Sequence, residues 1–236
     1  SMKYRTSDIH IKKEDLHLQS QVFKHILKVG FPVAIQDGCV QIAFMIITII
    51  ANSRGLNDAA AVGIVEKMVT AIFIIPSTML ATVSALSAQN IGAKNYGRAR
   101  TVLKYAVMIT TLYGIIVTLI VECAAPTLLG LFTKDTTVIL LGVQYISSSI
   151  IDTIFAGIHF GFSGYFAADG KSYIGFIHNI ISISLVRVPG SYIASIMYPH
   201  NLFPMGLAAP LGSLLSVIIC LIAYCILKKK DELSVL

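Results

Sequence analysis

The chain is 236 residues long, and its 18 Lys and Arg against 12 Asp and Glu leave only 13% of it charged, with a formal net charge of +6. That is about half the roughly 25% expected of a soluble domain. Apolar residues make up 56%, and the mean hydropathy is +0.79. This balance excludes a soluble globule, a disordered chain, a disulfide-stapled module and a nucleic-acid binder as main readings, and points to an integral membrane protein in a lipid bilayer.

In chain order, residues 1–25 are polar and basic and read as a cytoplasmic linker. Ser1 precedes Met2, so Ser1 reads as a tag remnant and the natural protein is expected to extend further toward its N-terminus. Residues 29–53 then carry a single charge, Asp37. Residues 68–93, 105–121 and 205–227 carry none, and 136–168 is broken only by Asp152. Residues 172–197 are interrupted only by Arg187. A helix needs about 20 apolar residues to cross the hydrocarbon core, so these runs predict an all-α, six-helix transmembrane bundle over residues 26–228, with 229–236 as a cytoplasmic tail. Connections are expected near 53–59, 90–101, 123–136, 169–172 and 198–204, where turn-forming residues cluster.

Loop charge sets the orientation. Fourteen of the 18 basic residues fall on the side that holds both termini, against Arg54 and Lys134 on the other side. The positive-inside rule places both termini in the cytoplasm. An even helix count with both ends on one side suits a module used twice in a parallel-repeat transporter, and these six helices show no internal repeat of their own.

Ionisable groups at membrane depth are functional candidates because they are costly to keep there. Asp152 lies 17 residues from both Asp135 and Asp169, near the midplane of the fourth helix. Ser148, Ser149, His159 and Ser163 share its face by helical spacing, either as a site or as an interhelical hydrogen-bond ladder. Asp37, Gln41, Met45, Thr48 and Asn52 form a second stripe on the first helix, although Asp37 is close enough to the cytoplasmic end to snorkel. Glu66 and Lys67 suggest a surface or interface role, and Pro76 a kink. Arg187 in the fifth helix either snorkels outward or pairs with an acid on a neighbouring helix. His178 reads as a polar contact between helices, with Asn179 beside it. The four cysteines (Cys39, Cys123, Cys220, Cys225) lack metal spacing and read as small core residues. No catalytic constellation, phosphate-cradling loop or metal cluster is present, so an enzyme is not expected, and no cofactor beyond a coupling ion.

The run from Pro76-Ser77-Thr78 through Ala88-Gln89-Asn90-Ile91-Gly92-Ala93-Lys94 to Arg98-Ala99 resembles the multidrug and toxin extrusion (MATE) family, whose repeats carry a P…S…QN-x-GA…RA pattern here. Gly30-Phe31-Pro32, Ala59 to Ile64, Phe162-Ser163-Gly164 to Gly170-Lys171, and Asn179 with Arg187-Val188-Pro189 extend the resemblance over residues 26–227. It implies one six-helix lobe, the C-terminal one, of a twelve-helix antiporter that exchanges Na⁺ or H⁺ for drugs or other organic, often cationic, compounds across a bacterial-type plasma membrane. The partner would be a second six-helix lobe, the N-terminal half or, less favoured, a second copy. By spacing to Ser163-Gly164, Asp152 corresponds to an acidic residue of the C-lobe cation site in the sodium-coupled branch. Ser148, Ser149, Asp37 and Gln41 are its candidate co-ligands, and His159, Asn179 and Arg187 are weaker cavity or relay candidates. The glutamate that this branch carries on its seventh helix has Val40 in its place here, with Gln41 beside it. In another branch the coupling carboxylate lies in the N-lobe. Two alternatives stay open: a non-transporting six-helix module or assembly partner, and a lipid-linked sugar flippase of the same superfamily.

Overall fold

The computed structural model describes residues 20–233. The expected linker therefore lies largely outside the described residues, as do the last three residues of the tail. The described chain is helical in ten consecutive pieces: α1 (Ser20–Arg54), α2 (Leu56–Ile72), α3 (Ile74–Gly92), α4 (Tyr96–Gly130), α5 (Thr136–Ser149), α6 (Asp152–Ala168), α7 (Ser172–Ser182), a π-helical turn (Ile183–Arg187), α8 (Val188–Met197) and α9 (Phe203–Leu233). Five spans are long and apolar enough to cross a membrane: α1, α2 with α3, α4, α7 with α8, and α9. The pair α5 and α6, bent by 41°, is the sixth.

Turn chemistry ends the pieces where the charge pattern placed the connections. Gly55, at φ 142°, takes a backbone conformation that side chains resist, and it lets α2 follow α1 without a loop. Asp135 Oδ1 accepts from the backbone N–H of Thr137 at 2.8 Å and caps α5. Asn95 caps α4 by accepting from the Arg98 N–H at 3.1 Å. At the turn between α6 and α7 Gly170 has φ 70°, and Lys171 pairs with Asp169.

One boundary differs from expectation. The third connection was expected from residue 123, but α4 runs through Pro126 to Gly130. Ala125 and Leu129 are buried in the core, and that burial carries the helix past one missing hydrogen bond. The interruption expected of Pro76 falls about one turn before it, at Phe73. Proline lacks the N–H that would reach the Ile72 carbonyl. Tyr113 Oη on α4 donates to that carbonyl instead, at 2.9 Å.

Two apolar cores form. One gathers Ile47, Val62, Val65, Leu129, Ile146, Ile150, Leu202 and Met205. The other gathers Val83, Leu103, Phe162, Tyr165, Phe166 and Cys220. Cys220 is the cysteine that fits the core reading; Cys39 is half-buried, and Cys123 and Cys225 are exposed. Lipid accepts a thiol-bearing surface as readily as a core does, so apolar runs alone do not separate the two. Small residues allow close helix approach: a Cβ on Gly157 would lie 2.6 Å from Thr110 Cβ, so α6 and α4 meet only because none is there. Gly206 does the same for α9 against α5, where a Cβ would come within 2.6 Å of the Tyr145 carbonyl oxygen.

Candidate functional site

Most buried polar side chains lie on α5, α6, α7 and α9, the elements whose regular helix is interrupted or closely approached. Asp152, 1% exposed, is the first residue of α6, just past the two-residue break at Ile150 and Ile151. That position gives its carboxylate the positive end of the α6 dipole. Arg187 closes the π-helical turn of the neighbouring span, and its Nη2 lies 3.4 Å from Asp152 Oδ2. The same guanidinium sits 4.9 Å from the centre of the Phe44 ring. Of the two expectations for Arg187, pairing with a neighbouring acid is the one observed.

At 3.4 Å the ion pair is looser than the 2.7–2.9 Å of a good charge-assisted hydrogen bond. Ser213 of α9 lies close enough to hydrogen-bond the Asp152 carboxylate, while the buried hydroxyls of Ser149 and Thr153 have no partner. Ser148 instead donates to the Tyr145 carbonyl at 3.1 Å. Ser149 and Thr153, within three residues of Asp152, thus carry buried hydroxyls without partners, and oxygen atoms are the ligands that hard cations take.

The polar face expected along the fourth span falls into two groups. Ser148, Ser149 and Asp152 stay together across the bend. His159 and Ser163, further along α6, belong to a second cluster with α7: Ser163 Oγ and His178 Nε2 are 2.9 Å apart, and the His159 and His178 rings are 5.5 Å apart, edge to face. Asn179, next to His178, is buried with its Nδ2 unpartnered. Ser216 of α9 donates to the His178 carbonyl at 3.4 Å.

Asp37 and Gln41 occupy a third location. Both are exposed and line a pocket of about 340 Å³ with Phe44, Thr70, Phe73 and Phe160. Phe44 therefore belongs to both environments, its ring near the Arg187 guanidinium and its side chain in the lining of the Asp37 pocket. Met45 and Asn52 continue the exposed face of α1, while Thr48 turns its hydroxyl back to the Phe44 carbonyl at 2.9 Å. Among the described residues no group of three His, Cys, Asp or Glu is placed to hold a metal ion.

A family model described as MatE matches residues 32–193. The chain belongs to the MatE family. The probable multidrug resistance protein YoeA of Bacillus subtilis strain 168 is 19% identical over 219 residues, which is 93% of this chain and 47% of that protein. In fold the MatE chain is similar to an outward-facing multidrug resistance MATE transporter of the MOP superfamily, with TM-score 0.86, 18% identity and coverage of 95% of this chain and 51% of the other. It is also similar to the Vibrio cholerae MATE transporter VcmN in its bent form, with TM-score 0.80, 18% identity and coverages of 93% and 50%. A MOP superfamily transporter from Pyrococcus furiosus gives 0.83, 18%, 92% and 49%. The chain spans about half the length of each relative, as expected of one MatE lobe.

Two buried polar residues, Tyr145 and Gln36, escaped sequence reading, and the role of a third, Glu66, was left open between surface and interface. Of the surface and interface roles expected for Glu66 the interface one is observed: its Oε1 accepts from Tyr145 Oη at 2.8 Å, and it is near enough to Arg187 and Asp152 to feel both charges. Tyr145 looked like an ordinary apolar position on α5, and nothing in its spacing marked it. Gln36, 1% exposed, lies on the buried face of α1 with Ala43 and Ile47, one residue from the stripe chosen on that helix. The i, i+7, i+11 series Gln36, Ala43, Ile47 was the available signal for it.

Proposed function

We propose that the chain is one lobe, the C-terminal one, of an antiporter that couples entry of Na⁺ or H⁺ to export of drugs or other organic, often cationic, compounds across a plasma membrane. Family membership, the half-length match to transporters and the polar layer support this reading, which makes the chain part of a transport protein rather than an enzyme. The missing partner is a second six-helix lobe, and the basic asymmetry favours cytoplasmic termini.

One observation carries the proposal: a fully buried carboxylate at a helix break, held by a loosely fitting arginine, with the unpartnered buried hydroxyls of Ser149 and Thr153 within three residues of it. Asp152 is the coupling site. Ser148 and Ser149 lie within one turn of it and offer hydroxyl oxygens. The incoming cation and Arg187 compete for the same charge, so ion binding releases the guanidinium onto Phe44 and the neighbouring Glu66. Because Asp152 begins α6 and Arg187 ends the π-helical turn, this exchange acts between two already interrupted spans, where bending costs least. Asp37 and Gln41 line the pocket beyond Phe44 and are secondary contributors, on the side that meets the partner lobe and its substrates. His159, Asn179 and His178 form a polar cluster further along α6 and α7 and serve as a relay or as packing.

Asp152→Asn in the intact transporter tests this. The variant keeps the side chain's size and removes the charge. At matched expression it is expected to export drugs without dependence on the ion gradient, or not at all. Wild-type gradient dependence would reassign Asp152 to structure. The existing neutralisation of Asp152 by Arg187 favours one second reading, a non-transporting six-helix module, which the absence of any ion-gradient-dependent export by the wild-type intact protein would support.

A further inference from the structure

A seam of buried polar groups runs through the lobe from Asp152 toward the α6–α7 turn. At its first end Ser213 of α9 lies close enough to hydrogen-bond the Asp152 carboxylate. One turn further along α9, Ser216 donates to the His178 carbonyl at 3.4 Å. Ser182 of α7 stands between these points. Its Oγ is 2.9 Å, and Arg187 Cβ 3.4 Å, from the place where a Cβ on Gly212 would lie. His178 is one turn nearer the α6–α7 turn than Ser182, with His159 edge to face against it and Ser163 Oγ 2.9 Å from its Nε2. Gln36 of α1 completes the seam: its Oε1 and Ser163 Oγ lie 3.2 and 3.3 Å from one point, the place of a Cβ on Gly175. Each of these eight side chains is at most 6% exposed.

Ser163 precedes Asp169 by six residues, and Gly175 follows Lys171 by four. At 1.5 Å per residue the seam therefore comes within about 6–9 Å of the turn. Along it Gln36 Nε2, His159 Nδ1 and His178 Nδ1 are buried with no hydrogen-bond partner, as is Nδ2 of Asn179, next to His178. Polar groups kept for packing alone are satisfied where they stand, because a buried orphan gives up its hydration for nothing. The charged and titratable groups that act on His159 are His178 and Arg187. The other elements face the seam with groups that do not titrate: Gln36 on α1, Ser213 and Ser216 on α9, Leu80 and Val83 on α3, and Thr110 on α4. Asp37, next to Gln36, is exposed and lines the separate pocket.

Taking Asp152 as the coupling site, we propose that this seam carries protons between Asp152 and the α6–α7 turn, with His159 and His178 as the carriers, so that the coupled ion is a proton. Imidazole suits the task because one ring nitrogen accepts while the other donates. The transfer starts from His178 with its proton on Nε2. A proton leaving the Asp152 carboxyl passes through His159 to His178 Nδ1. The Nε2 proton moves to Ser163 Oγ, which releases its own to water at the turn. The carboxyl becomes a carboxylate, the His178 ring ends as its other tautomer, and no bond between heavy atoms changes. A sodium ion on the same path would need oxygen ligands at each step, and two imidazole rings occupy the middle of it.

The test uses the intact transporter in liposomes, with drug export driven either by a pH gradient at equal sodium or by a sodium gradient at equal pH. The pH gradient is expected to drive the wild type and the sodium gradient to fail. His178→Gln keeps an amide for Ser163 and cannot carry a proton. It should slow pH-driven export about a hundred-fold, the low end of what a positioned proton-transfer group contributes, with drug affinity unchanged. His159→Gln should slow it in the same way. Gly175→Ala leaves every titratable group in place and sets a methyl between Gln36 and Ser163; it too should slow pH-driven export at unchanged drug affinity, and it carries the test if the histidine variants misfold. Asp152→Asn, read alongside, separates this proposal from the one it builds on. Wild-type gradient dependence in Asp152→Asn removes the coupling site itself. Loss of dependence there, with wild-type rates in His178→Gln or in Gly175→Ala, overturns the proton path alone. Wild-type export driven by sodium at equal pH overturns it as well, and so does a loss in the variants that is matched by lost drug affinity.

Discussion

Removing one member of the Asp152–Arg187 pair is expected to cost the lobe more than removing both. The two side chains are 1% and 12% exposed, so water screens neither charge well. Breaking a buried pair by deleting one partner costs about 3–5 kcal/mol, whereas replacing both with uncharged groups of similar size is often close to neutral. The 3.4 Å separation puts Asp152→Asn at the lower end, about 3 kcal/mol by that measure. Arg187→Met leaves the carboxylate buried without its cation and also removes the contact with Phe44, itself worth about 1 kcal/mol. The double variant loses that contact without stranding a charge. A cost of 3 kcal/mol lowers the melting midpoint by roughly 6–12 °C for a chain of this size. Thermal unfolding of the purified full chain, followed by tryptophan-free circular dichroism in one detergent, reads all four proteins. The single variants should each melt well below wild type and the double variant above both. Additive losses, or single variants melting within about 2 °C of wild type on the same scale, would refute an energetic link between the two residues.

The remaining expectations concern the ends of the lobe and its completeness. Arg54 ties the α1–α2 turn to the end of α8, donating to Asp58 at 2.6 Å and to the carbonyls of Ser195, Tyr198 and Pro199 at 3.0, 3.1 and 2.9 Å. Arg54→Ala should destabilise the chain by about 3 kcal/mol, and Arg54→Lys should recover less than half, because an ammonium cannot span three carbonyls from one position; the same melting assay decides. Single cysteines at the exposed positions Asn57, Asn95 and Asn201, placed in a cysteine-free background, should label from outside at 57 and 201 and from inside at 95; the reverse pattern inverts the topology. The chain alone in liposomes should support no ion-gradient-dependent drug export, since rocking about a shared cavity needs two lobes, and sustained export by the monomer would contradict this.

Composition and spacing by themselves determined the class of the protein, the six spans, the turns and the polar positions that matter most. A long uncharged run has one solution in a bilayer, and the residues that end it are turn formers whatever they pack against. Asp152 and Arg187 were visible for the same reason, because a charge inside an apolar run has no inconspicuous explanation. Their pairing was not visible. It depends on a break at Ile150 and a π-helical turn before Val188, and these follow from how α5 to α9 pack rather than from local preference. The separation of Asp37 and Gln41 from Asp152 was equally a matter of packing: helical spacing gives the angle between residues on one helix, and it says nothing of how that helix is rotated against its neighbours. Gln36 and Asp37 differ by one residue, and only the rotation of α1 against α7 buries the first and exposes the second. Glu66 and Tyr145 are 79 positions apart, and their hydrogen bond exists because α2 and α5 lie side by side. Contacts between distant parts of the chain come into being only when the helices assemble, which is why the tertiary structure alone decided which polar residues share a site.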